Sequence, residues 1–407
     1  MNLPTPPIPP HVSPELIRPY PLIMGAMTDE HPYKTIIPRQ HEEQPEVFYA
    51  LHAYPGFTPA WIFRKARDLN AIYQDNEHFT AKGLSPFAML VGDTWSTLPV
   101  ESDPPTHMLY RSVMNPLFSP KKMQALEERV REIARGYIAK FKDKGECELM
   151  SEFAFRFPIA VFLELMDMPL DRVEEFLKWE MQMFHAASME EVRDGVLNVK
   201  NYLNEIIEER RNSPGDDFIS HAINAQIEGH KLTHDEIFGF CFNLFIGGLD
   251  TVSTNMGWHF RHLAENPEHQ ALLRSRPEMI PGAIEELLRA YSAVATFRTC
   301  IKPVTINGVQ LMPGDKVAMT TYFANTDPEV YENPSEVRFD RGASRHIAFG
   351  FGVHRCVGAP LARRELVIAM EEFFKAIPSF QVKPDTTISS TLALMVQPLQ
   401  LPLVWAV

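Results

Sequence analysis

The sequence has little that would mark a secreted, stapled or membrane-spanning chain. Four cysteines, Cys147, Cys241, Cys300 and Cys356, are scattered through 407 residues. No two have the close spacing of a structural zinc site. The number is low for a disulfide scaffold, so a reducing, cytoplasmic setting is expected. No apolar run reaches the ~20 residues a spanning helix needs. The Pro-rich opening MNLPTPPIPPHVSPEL has no basic segment followed by an apolar one. It reads as a semi-extended arm over about residues 1–20, not as a signal peptide or membrane anchor. Positive charge is also short. A formal net charge of −13 argues against general nucleic-acid binding, which needs a basic footprint. Fixed-period repeats and long Gly/Ser linkers are missing too, so either two domains or one large domain fits.

Helical patterns dominate what is present. Long amphipathic stretches follow Ser119-Pro120 and cover LDRVEEFLKWEMQMFHAA and SMEEVRDGVLNVKNYLNEIIEERRN. The longest pattern opens with Thr233 and Glu236 at capping-box spacing and stops near Asn266-Pro267. After about residue 300 the character changes. VTINGVQLMPGDKVAM reads as two strands joined by an Asn307-Gly308 turn, and LALMVQPLQLPLVWAV as further short strands. Strand signals near KTIIPR and GFTPAWIFR lie close to the other end. The expected fold is mostly α, with a smaller β region built from both ends of the chain.

Three stretches carry candidate chemistry. In HIAFGFGVHRCVGAP, three glycines and Cys356 form a loop, and a helical pattern starts at once behind them. A helix N-terminus favours negative charge, and thiolate is the form of cysteine that binds metal. A loop of this composition suits a thiolate held beneath a flat cofactor, although most free cysteines are small buried hydrophobes. In FIGGLDTVST, Gly247 and Gly248 interrupt the longest helix beside Asp250 and Thr251. A helix loosened there, with an acid and a hydroxyl alongside, has the parts of a proton relay; a tight helix crossing with a surface Asp fits equally. In EELLR, Glu286 and Arg289 stand at helical i,i+3 spacing, a pair common on surfaces.

Taken together, in this order and spacing, the three stretches resemble the cytochrome P450 family. FGFGVHRCVG matches its haem signature through Phe349, Gly352, His354, Cys356 and Gly358. GGLDT matches the oxygen-binding helix, and EELLR the Glu-x-x-Arg helix. EVRFD supplies Arg338 as the third member of a Glu–Arg–Arg cluster, and DPPTHMLYR supplies His107 and Arg111. GGLDTV, PEHQALL, EELLRAYS and LPLVW are similar to the bacterial camphor-hydroxylase branch.

The resemblance implies a single P450 domain over residues 1–407 that binds haem b, with Cys356 as axial thiolate. Phe349 and Gly350 would lie on the sulfur side, and His107, Arg111, Arg298 and His354 around the propionates. Asp250 and Thr251 would supply protons on the opposite face, where dioxygen is activated. Electrons would come from a [2Fe–2S] ferredoxin reduced by an NADH-dependent flavoprotein, since the chain has neither a dinucleotide fingerprint nor a ferredoxin-like cysteine cluster. Arg64, Lys65, Arg111, Lys121, Lys122 and Arg363 are the docking candidates. Phe87, Trp95, Asn243, Leu244, Ile246, Gly247, Val294, Leu394 and Met395 would line the substrate pocket, with Trp95 and Asn243 as possible polar handles. That lining suits a compact hydrophobic molecule of terpenoid or norisoprenoid type. Two rival readings are a peroxide-driven haem-thiolate enzyme and a non-catalytic haem or ligand carrier.

Overall fold

Thr58–Phe63 pairs in parallel with Lys316–Thr320 and antiparallel with Val47–Tyr54, so the largest sheet joins segments far apart in the chain. Its five strands run in the order Val47–Tyr54, Thr58–Phe63, Lys316–Thr320, Ala295–Cys300, Phe79–Thr80. The computed structural model describes residues 6–20, 26–54, 58–186, 188–342, 345–392 and 394–407. Smaller sheets repeat the theme. Ala26–Thr28 pairs with Ser390–Leu392, and Glu146–Glu148 with Pro402–Val404. The expected hairpin joins Val304–Ile306 to Val309–Leu311, with Asn307 and Gly308 both at positive φ as its two-residue turn requires. The rest is helical, so the fold is mostly α with a smaller β region, as expected.

The KTIIPR segment is not a strand. It folds as one wide helical turn, Pro32–Ile36, running into the helix Ile37–Glu43. Its β-branched residues gave it strand propensity, but Tyr33, Ile36, Ile37 and Gln40 are buried at helical spacing, and burial overrides propensity. Pro38 falls in the helix's first turn, where a missing N–H is tolerated. The described part of the Pro-rich arm is anchored to the sheet rather than free. Val12 is buried, Arg18 N–H donates to the Tyr49 carbonyl at 3.1 Å, and His11 meets Asp315 at 2.8 Å.

The longest helical stretch, His234–Glu265, is apolar enough to cross a membrane by composition, yet 72% of its most apolar window is buried in the protein. Its capping box forms as expected between Thr233 and Glu236. The stretch is broken at Leu249 into His234–Gly248 and Asp250–Glu265. Close packing explains glycines elsewhere in it: a Cβ at Gly239 would sit 2.2 Å from the Ser96 carbonyl oxygen. At Gly247 a Cβ would meet nothing within 4 Å, so protein packing does not account for that glycine.

Candidate active site

The Cys356 loop is built by backbone geometry. Cys356 N–H donates to the Phe349 carbonyl at 2.8 Å, closing the turn, and Gly350 and Gly352 take φ of +70° and +69°. At Gly352 a Cβ would also stand 2.7 Å from the Tyr73 carbonyl oxygen, so a side chain is excluded on both counts. The helix Ala359–Ala376 starts directly behind the loop. Its leading amides, from Gly358 and Ala359, donate toward the Cys356 sulfur. Cys356 is exposed, whereas Cys147, Cys241 and Cys300 are buried. Desolvation pushes the Cys356 thiol pKa up, while the two amides and the charges of Arg111 and Arg363 pull it down. Arg363 lies over the Phe349 ring at 4.4 Å and is held bidentately by Glu285.

Beside the loop, basic and imidazole groups collect without a carboxylate among their bonded partners in the described residues. Arg298 is buried, and its hydrogen bond goes to the Phe297 carbonyl at 2.7 Å. His354 packs against His107 with ring centroids 4.0 Å apart and planes tilted by 47°, and leaves a buried Nδ1 unpartnered among the described residues. Burial and the charges of Arg298, His107 and Arg111 push the His354 pKa down to about 2. His107 faces the carbonyls of Pro99 and Val353, each at 3.0 Å, so it braces the loop from below. An anion with two carboxylates placed among these groups would relieve both the charge crowding and the orphaned nitrogen.

The next candidate element is the helix break at Leu249. Thr251 Oγ1 donates to the Gly247 carbonyl at 2.9 Å, and Ser253 and Asn255 likewise bond back to carbonyls one turn earlier. Asp250 is buried. Its Oδ1 accepts from Gln397 Nε2, which also reaches Thr254 Oγ1 at 2.7 Å.

A sequence profile of the family described as Cytochrome P450 matches residues 41–403. The chain is a cytochrome P450. "Probable cytochrome P450 127A1" of Sinorhizobium fredii is 36% identical to it over 94% of this chain and 93% of that protein. "Polyketide biosynthesis cytochrome P450 PksS" of Bacillus subtilis is 30% identical over 86% and 90%. Among solved structures, cytochrome P450 CYP101C1 superposes with a TM-score of 0.88 at 30% identity, covering 98% of this chain and all of that one. CYP101J2 gives the same TM-score and coverage at 26% identity. Proteins of this family are monooxygenases that bind haem b through an axial cysteine thiolate. The residues of this P450 fit that group: a thiol under two helix amides, a cluster of donors suited to two propionates, and a glycine in the broken helix, Gly247, whose Cβ would meet only open space.

Several expected residues sit elsewhere. Arg338 is not the third member of the Glu–Arg–Arg cluster. Its side chain points outward to Asp340 at 3.4 Å, and only its backbone N–H reaches Glu286, at 3.0 Å. Arg341 takes the place: its Nε donates to Glu286 Oε1 at 3.0 Å, while Arg289 grips both oxygens of Glu286 at 2.8 Å. The loop geometry after Phe339, invisible in the sequence, turns Arg341 inward rather than Arg338. Arg64 and Lys65 cannot belong to a docking surface, because both are buried. Arg64 donates to the carbonyls of Pro45 and His41, and Lys65 pairs with Glu329 at 2.7 Å. Trp95 is buried against Phe238 and Phe242, and its indole N–H is bonded to Asp93 at 3.2 Å, so it offers a substrate no donor.

Other expected residues fall into two groups, one along the helix His234–Gly248 and one at the bridge between Val294 and Met395. Phe87 meets Phe242 edge-on at 5.5 Å. Leu394 and Met395 form a backbone bridge with the Val294–Ala295 segment. Leu244 is buried, Asn243 and Ile246 are half-buried, and Asn243 makes no side-chain hydrogen bond among the described residues. Lys121, exposed, and Lys122, half-buried, open the helix Pro120–Ile138, three and four residues after Phe118, which lies against Gly358.

Proposed function

We propose that this P450 hydroxylates a compact, mainly apolar substrate of terpenoid or norisoprenoid type, with electrons from a [2Fe–2S] ferredoxin that an NADH-dependent flavoprotein reduces. Cys356 is the axial ligand, and Arg298, Arg111, His354 and His107 hold the propionate side. When bound, haem b supplies the centre at which dioxygen is activated, so that one oxygen atom enters a C–H bond and the other leaves as water. The protein's share is to bind, orient, exclude water and bring two protons. Asp250 and Thr251 bring them, next to the opening at Gly247. Phe349 and Gly350 shape the sulfur side, where amides facing the thiolate moderate its donation.

What supports the substrate class is the composition of the expected lining. Phe87, Leu244, Ile246, Val294, Leu394 and Met395 are all apolar, and Asn243 is the one free polar handle among the named pocket residues. Apolar burial returns about 25 cal/mol per Å², and no basic side chain in that set meets a carboxylate. Binding of camphor, ionone-type ketones and a medium-chain fatty acid, followed by the visible spin-state change, tests this. A carbonyl-bearing terpenoid or norisoprenoid should bind tightest, and Asn243→Leu should weaken it selectively. Tightest binding and fastest coupled oxidation of the fatty acid would overturn the reading.

The electron donor docks on the Cys356 side, over Lys121, Lys122, Arg111 and Arg363. Charge reversal at Lys121 should slow ferredoxin-driven turnover, and salt should do the same, since exposed charges are screened over ~10 Å at 0.1 M. Turnover indifferent to both refutes the docking site.

A further inference from the structure

We propose that Glu180 and His185 form, with Asp250, a buried proton-loading station in which Glu180 stores a proton for Asp250 and His185 refills it from solvent. This rests on the monooxygenase reading above. Glu180 lies in the helix Val173–His185, where Phe176, Trp179 and Met183 form the buried face. It occupies an apolar position on that face. Its exposure is 0%, and neither carboxyl oxygen has a hydrogen-bond partner among the described residues. Asp250 on the facing helix is 1% exposed and keeps one oxygen, Oδ2, unpartnered. His185 Nε2 stands 3.5 Å from Asp250 Oδ1, too long for a good hydrogen bond, and is also unpartnered. Four orphaned polar atoms on three neighbouring side chains are what an ordered bridging water satisfies.

An ionised carboxylate without a partner is costly in such a place, so the neutral acid is the resting form. Burial and the negative charge of Asp250 push Glu180 well above the usual carboxylate range. Of two close acids only one ionises readily, and the Gln397 amide donates to Asp250, not to Glu180. Glu180 therefore holds the proton. Other charges in the surroundings are committed elsewhere. Arg172 pairs with Glu175 and covers the Tyr202 ring, and Arg156 pairs with Glu174. The His185 side chain, edge-on to Phe155, is 15% exposed and so is the member open to solvent.

The transfer balances simply. The Glu180 O–H proton passes through water to Asp250 Oδ2, leaving Glu180 as carboxylate, and Asp250 hands a proton on toward Thr251. Imidazolium at His185 then returns one proton to the acid pair and takes another from solvent. Glu180 and His185 act only through Asp250 and are positioning residues.

Difference infrared spectroscopy of the holoenzyme tests the store without turnover. A protonated carboxylic-acid carbonyl band should be present at neutral pH, shift in heavy water, vanish in Glu180→Gln and move in Asp250→Asn. A wild-type spectrum that Glu180→Gln leaves unchanged overturns the proposal. Coupling is the second readout. Glu180→Gln, a neutral isostere, should fold and bind substrate normally, slow turnover about 10²-fold, the low end for a positioned proton donor, and enlarge the solvent isotope effect. His185→Gln should shift the pH profile, and Glu180→Asp should restore part of the rate. If Thr251→Ala diverts reduced oxygen to peroxide while Glu180→Gln changes neither coupling nor isotope effect, the station is refuted and the monooxygenase reading stands. If Thr251→Ala and Glu180→Gln are both silent while the infrared band behaves as expected, the monooxygenase reading fails instead.

Discussion

Replacing Arg341 by alanine should damage this P450 far more than replacing Arg338, although Arg338 is the residue the sequence motif singles out. The side chain of Arg341 is 11% exposed and that of Glu286 4%. Arg341 makes four hydrogen bonds: one to Glu286 at 3.0 Å, and others to the carbonyls of Glu332 at 2.7 Å, Asn333 at 3.2 Å and Glu336 at 2.9 Å. Removing one partner from a buried ion-pair network costs about 3–5 kcal/mol, because the remaining charge and carbonyls lose their donors. Unfolding entropy of about 2 cal/mol/K per residue, taken over 407 residues, converts that loss to a melting-point drop of roughly 4–6 °C. Arg338→Ala removes only a surface contact to Asp340 and keeps the backbone N–H that Glu286 uses, so its melting point should stay within experimental scatter. Arg289→Lys offers a third point. A lysine cannot reproduce the bidentate grip on Glu286 together with bonds to the carbonyls of Asn325, Pro334 and Glu336. The assay is thermal unfolding of the holoenzymes by circular dichroism, with haem content measured alongside. A drop for Arg338→Ala equal to or larger than that for Arg341→Ala refutes the reassignment.

The remaining expectations concern the loop and its supports. Gly352→Ala combines positive φ, costing roughly 1–2 kcal/mol, with a Cβ 2.7 Å from the Tyr73 carbonyl oxygen; purified variant should contain less haem at unchanged helix content, and full haem content with wild-type melting would refute this. Glu285 is held down to about 2, since bonds from His346 and Arg363 outweigh the burial that raises it. Its pKa lies below the ordinary 4.5, so its stabilisation is present above that value and lost as pH falls toward about 2. Glu285→Gln should lower stability at neutral pH and flatten its fall in that window, as urea titrations at several pH values would show. Cys356→His should abolish the thiolate signature of the reduced carbon monoxide complex whether or not haem is retained; a variant that keeps it has another ligand.

Periodic and backbone-determined features were legible in the sequence. The long amphipathic helices, the capping box at Thr233, the Asn307-Gly308 hairpin and the presence of strands towards both ends follow from patterns spanning a few residues. The site loop was legible because its glycines and cysteine are adjacent in sequence. Features that depend on distant segments meeting were not. Gln397 reaches Asp250 because the C-terminal strand Val396–Pro398 lies beside the helix Asp250–Glu265, and no local signal announces it. The inward turn of Arg341 and the burial of Arg64 and Lys65 are of the same kind. KTIIPR misled because β-branched residues favour strands until buried contacts decide otherwise. Glu180 did leave a trace: an acid at i+4 from Phe176 and between Trp179 and Met183 interrupts an otherwise apolar stripe. On a helix's inner face such an interruption costs desolvation, and it marks a group whose proton the fold controls.

The pairing of Thr58–Phe63 with Lys316–Thr320 also constrains how the chain is made. During vectorial synthesis, at about 5–20 residues per second, the first of these strands leaves the ribosome roughly 10–50 s before its parallel neighbour exists. Through that interval Trp61, Ile62 and Phe63, all fully buried at the end, have only the hairpin with Val47–Tyr54 to shelter them. The nascent chain must therefore keep an open, sticky strand edge out of trouble for most of its translation. Slowed elongation between residues 64 and 316 should depress the yield of native protein, and a chaperone that covers extended apolar segments should restore it.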